Sequence, residues 1–69
     1  MKARYFICRP RGAGGIVSRL RWNLDLMQIE KLVNGVYAKV NQSEDDYWTE
    51  NILFGDPDIE EITVDVAGS

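Results

Sequence analysis

Residues 25–35, DLMQIEKLVNG, are the best-marked element of the chain, and the rest is laid out around them. Asp25 stands where a carboxylate caps the free amides of a helix start. Gln28, three residues on, completes a capping-box arrangement, and Leu24 and Ile29 occupy hydrophobic-staple positions. Leu26, Ile29, Leu32 and Val33 fall at i, i+3, i+6 and i+7, one apolar stripe, and Asn34-Gly35 supplies a left-handed terminator. The expectation is a helix over residues 25–34.

On its N-terminal side, MKARYFIC alternates, with Ala3, Tyr5 and Ile7 on one face and Arg4, Phe6 and Cys8 on the other. RPRGAGG (residues 9–15) marks a loop, and IVSRLRW (16–22) alternates again, so residues 2–22 read as a hairpin with a long tip. On its C-terminal side, VYAKVN (36–41) has period two with Val36, Ala38 and Val40 inward, and YWTENILF (47–54) is a weaker strand. After the break at Gly55-Asp56-Pro57, DIEE (58–61) suits one helical turn, and ITVDV (62–66) is a last strand with Ile62, Val64 and Val66 inward. The order is ββαβββ: an α+β domain with one helix on a mainly antiparallel sheet of four to five strands. One sheet face then lacks a covering layer, and Arg4, Arg19, Arg21, Tyr37 and Lys39 are expected on it together with Phe6.

A chain of 69 residues, 45% hydrophobic and 28% charged, suits a single domain over residues 1–69. Its net charge of −3 conceals an asymmetry. Residues 1–33 hold seven bases against two acids, giving +5, and residues 34–69 hold one base against nine acids, giving −8. Cys8 is the only cysteine, which excludes an intrachain disulfide and fits a reducing compartment. No apolar run reaches the length of a membrane span, so a cytoplasmic protein without membrane contact is expected.

Catalytic and metal chemistry find little support. With no histidine and one cysteine, a zinc site is excluded, and Cys8 has no base to activate it. Asp56, Asp58 and Glu60 begin like a calcium loop, but Glu61 and Ala67 stand where that loop needs glycine and glutamate. RGAGG lacks the remaining residues of a phosphate-cradling loop. The expectation is a protein that is not an enzyme and needs no cofactor or metal.

Two binding surfaces remain. Arg9, Arg11, Arg19 and Arg21 form a candidate nucleic-acid patch, although a net negative chain repels a polyanion, and no direct nucleic-acid contact is expected near physiological salt. Between Gln42 and Glu61 stand eight acids and no base: Glu44, Asp45, Asp46, Glu50, Asp56, Asp58, Glu60 and Glu61. Self-repulsion on that scale needs the chain's own arginines or an external basic surface to offset it. Tyr47 and Trp48 lie inside the run, and aromatic anchors ringed by charge are interface anatomy. Those ten residues are the candidate partner-binding face.

A small acidic domain of this architecture, without catalytic groups, resembles the small proteins of phages and mobile elements, anti-CRISPR proteins in particular. The resemblance is one of size, charge and architecture and carries over no functional residue; the basic first half departs from a uniformly acidic mimic. It implies an inhibitor, acting as a monomer or small homo-oligomer in the cytoplasm of an infected or lysogenic bacterial host. Its partner is then a basic host protein or nucleoprotein complex such as a CRISPR surveillance complex, blocked by DNA mimicry. The alternatives are a small nucleic-acid-binding module using the basic hairpin, or a structural phage protein whose charge halves meet in an oligomer.

Overall fold

The computed structural model describes residues 1–12 and 14–63. Its elements are β1 (Ala3–Cys8), β2 (Ser18–Asn23), β3 (Gln28–Val33), β4 (Val36–Lys39), α1 (Gln42–Phe54) and β5 (Ile59–Ile62). The strands form one sheet in the order β4-β3-β2-β1-β5, every neighbouring pair antiparallel. The α+β class with one helix on an antiparallel sheet holds. The order along the chain does not: it is ββββαβ, with the helix in the acidic stretch.

Residues 25–34 are therefore a turn and a strand. Asn23, buried in the sheet, accepts hydrogen bonds on its side-chain oxygen from the Asp25 and Leu26 amides (3.1 and 3.0 Å), which bends the chain before a helix can start. The Asp25 carboxylate instead accepts from the Lys2 amide at 2.9 Å, across the β1–β2 pairing. Asn34 and Gly35 both have positive φ (51° and 80°), the signature of a two-residue I′ hairpin turn. A ten-residue helix is marginal on its own, whereas the same residues as a strand fill backbone hydrogen bonds to both β2 and β4. The supposed stripe divides: Ile29 is fully buried, Leu32 lies on the opposite face, and Leu26 and Val33 are exposed.

The helix forms where a weak strand was expected. Asn41 is its N-cap, accepting from the Glu44 amide at 2.8 Å, and Glu44 and Asp45 sit in the first turn, where the macrodipole favours acids. Gly55, at φ 76°, closes it: the Gly55 amide donates to Ile52 O and the Asp56 amide to Asn51 O, as in a Schellman motif. DIEE is likewise strand rather than helical turn, since Ile59–Ile62 pairs with β1. Ile62 pairs with Tyr5 on the face opposite α1 and is not inward, and Val64 and Val66 lie outside the described residues.

Phe6, Cys8, Leu20, Ile29, Val40 and Trp48 form the core, with Trp22, Ile52 and Ile59 packed against it. Phe6 is thus on the α1 side and buried, and Arg4, two residues before it in β1, shares that side, so neither lies on the open face. Val36 and Ala38 are exposed because α1 does not extend over the β3–β4 tip. The helix N-terminus is tied to β3, where Asp45 Oδ2 accepts from the Ile29 amide at 2.8 Å. Its C-terminal turn lies beside Phe6 of β1 and Ile59 of β5.

Strand and helix readings of residues 25–34 give different mutational patterns. Ile29→Ala is expected to cost about 2–5 kcal/mol in urea unfolding, while Leu26→Ala stays within about 0.5 kcal/mol. Equal losses at both positions contradict the strand.

Candidate partner-binding faces

Four of the eight acids of the run pair with the chain's own cations. Arg4 makes a bidentate pair with Glu61, its Nε and Nη2 donating at 2.9 and 2.8 Å. Arg9 pairs with Glu60 at 3.1 Å, Arg11 with Asp58 at 3.1 Å and Lys31 with Glu44 at 3.5 Å. The basic and acidic halves are thus joined mainly along the β1–β5 edge. These are exposed or half-exposed pairs, each adding little to stability. Their larger effect is to relieve the repulsion of the acidic run.

The remaining members of the expected face separate by helical geometry. Trp48 is buried in the core, its indole N–H donating to Glu44 Oε2 at 3.0 Å, so it anchors the helix instead of presenting itself to a partner. Asp45 is occupied by the Ile29 amide, and Asp56 accepts from the Asp58 amide at 2.9 Å. On the outer face of α1 lie Asp46, Tyr47 and Glu50. Asp46 accepts from Gln42 at 2.8 Å, and neither it nor Glu50 has a cationic partner among the described residues. Leu53 and Phe54, 67% and 85% exposed, join Tyr47 there at 55%. Their exposure is not legible in the sequence, because the alternation over residues 47–54 suits a strand.

On the other side of the sheet the candidate arginines also divide. Arg9 and Arg11 are paired as above, and Arg21 Nε donates to Glu30 Oε1 at 2.6 Å; only Arg19 of the four has no carboxylate partner among the described residues. Glu30 is buried at 5% exposure. Burial alone pushes its pKa up, but hydrogen bonds from Gln28, Arg21 and Asn23 outweigh that and hold it below its ordinary value of 4.5. Glu61 is also held low, chiefly by its hydrogen bonds from Arg4. The Arg21 guanidinium lies 4.6 Å from the Tyr37 ring centroid, and Tyr37 meets Tyr5 edge-on at 5.9 Å. Neither tyrosine was singled out as a pair by the sequence, since they are 32 positions apart.

An open cavity of about 190 Å³ lies between Arg4, Phe6, Ile52, Asp56, Ile59 and Glu61, its polar wall formed partly by the satisfied Arg4–Glu61 pair. The Cys8 thiol is buried, and burial first, then the charges of Asp56 and Asp58, raise its pKa, which disfavours the reactive thiolate. Among the described residues no three metal-ligating side chains gather, and no helix is long and apolar enough to cross a membrane. The chain matches no protein-family model, no curated protein and no solved structure.

The depressed carboxyls set a pH dependence. A carboxyl whose folded pKa lies below its unfolded value stabilises the fold above the unfolded value and loses that contribution as pH falls through the folded one. Stability is therefore expected to decline as pH drops below about 4.5, and Glu30→Gln should flatten that decline in urea melts recorded across pH 2–6. An unchanged acid limb removes Glu30 from the account.

Proposed function

We propose that the protein is a non-enzymatic binding protein that inhibits by seating the outer face of α1 on a basic surface, of the kind a host complex uses to grip nucleic acid. A CRISPR surveillance complex is such a partner, and the small inhibitors of phages and mobile elements are the class it resembles. One observation carries the reading. Two carboxylates one helical turn apart, Asp46 and Glu50, have no cationic partner among the described residues and lie beside three exposed apolar side chains, Tyr47, Leu53 and Phe54.

That combination suits a partner with cations around an apolar depression. Exposed apolar side chains of this size on a 69-residue domain are costly to solubility unless they are covered. Buried aromatic anchors give an interface its strength, while the carboxylates steer approach and set register. DNA mimicry contracts accordingly, from ten residues to this helical face, because Glu44, Asp58, Glu60 and Glu61 are engaged within the fold.

The test is inhibition of DNA binding by a purified surveillance complex, run beside thermal melting of each variant. Phe54→Ala is expected to weaken inhibition by about 2 kcal/mol, and the double change Asp46→Lys with Glu50→Lys to abolish it, with melting temperatures close to wild type. Inhibition that survives all three substitutions removes α1 as the contact face. Loss that tracks unfolding removes it equally.

A further inference from the structure

The sheet face opposite α1 gathers aromatic rings and cations. Strand register places Ile62, Tyr5, Arg21, Glu30 and Lys39 in one row across all five strands, with Arg19 and Tyr37 in the next. No helix covers this face among the described residues. Its two tyrosines lean toward one another across two intervening strands until their rings touch. Beneath them the Arg21–Glu30 pair is screened from solvent, its side chains 21% and 7% exposed. Arg21 is thus fixed from below by a carboxylate that two further donors, Asn23 and Gln28, hold in place, and it is held against the Tyr37 ring. The pair is built to position the rings.

Two cations flank the rings without a carboxylate partner among the described residues, Arg19 and Lys39, both exposed. Glu60 also points to this side but is neutralised by Arg9, and Glu30 by Arg21. The face is consequently positive although the chain is negative, because the unpaired acids of α1 lie beyond the sheet. A net charge of −3 therefore misjudges the field that a ligand meets here.

We infer that this face binds single-stranded nucleic acid, with bases stacking on Tyr5 and Tyr37 and phosphates on Arg19 and Lys39. Aromatic rings on a sheet take unpaired bases of any sequence, and the flanking cations track the backbone. A duplex presents its bases stacked inside and offers the rings nothing. This departs from the expectation of no direct nucleic-acid contact, which rested on overall charge and not on where the charges lie. It is independent of the α1 reading, since the two faces lie on opposite sides of the sheet.

The experiment is fluorescence anisotropy of a labelled twelve-residue oligothymidylate with the whole protein at about 50 mM salt, against a duplex of equal length and polyglutamate as competitors. Binding should prefer the single strand roughly tenfold and weaken with salt at a slope near −1.4, about −0.7 for each of two phosphate contacts. Tyr37→Leu, which keeps an apolar cover over Arg21, should lower affinity roughly tenfold. Arg19→Glu with Lys39→Glu should abolish binding while circular dichroism stays unchanged. Absence of binding at low salt, equal competition by duplex or polyglutamate, or full affinity in Tyr37→Leu each overturns the inference.

Discussion

The packing of one indole ring onto the sheet is the contact on which the rest depends. Trp48 is the one buried residue of α1, and it meets a floor in which Leu20 and Ile29 have no exposure at all. Its N–H is satisfied within the helix by Glu44, and the Asp45 carboxylate next to it fixes the helix start to the Ile29 amide. Ile52, one turn on, continues the contact toward β1 and β5. A helix held along so narrow a line presents most of its circumference to water. That is why Tyr47, Leu53 and Phe54 can be exposed without loosening the fold.

A single narrow helix also leaves the sheet to solve its second face alone. The solution is local: a buried carboxylate, three donors to it, and two tyrosines from strands at opposite sides of β2 and β3. An isolated buried charge is expensive, and removing either partner of such a pair costs more than replacing both. Here Glu30 is held ionised by direct hydrogen bonds despite its burial, so the polar centre acts as a rigid base for the rings above it.

Sequence reading recovers what is local and fails where partners are distant. The β1–β2 hairpin is legible because alternation over six residues marks a strand, but alternation does not say which face turns inward, and Phe6 and Cys8 of β1 join Leu20 in the core. Residues 25–34 are not, since Asp25 and Gln28 satisfy a capping box that Asn23 pre-empts, and Asn34-Gly35 ends a helix or turns a hairpin with the same two residues. The helix signal was present elsewhere, in Asn41 with Glu44 three residues on and Gly55 at the end. Its apolar residues point both ways around the axis, which blurs the period. Arg4 and Glu61 are 57 positions apart, and nothing short of the strand order places them together.

Charge pairing, once placed, explains why the chain carries its two halves at all. If the seven bases and nine acids were all solvated, the domain would be a strong dipole with each half repelling itself. Edge pairing of β1 with β5 instead cancels three arginines against three carboxylates. Among the charges left without an ion-pair partner among the described residues, Asp46 and Glu50 lie outside α1 and Arg19 and Lys39 beside the tyrosines. Each remnant adjoins exposed or half-buried aromatic rings, and that juxtaposition is what both proposed faces rest on. The division between charges that pair and charges that stay unpaired thus follows from which strand neighbours which, not from how acidic or basic a stretch of sequence is.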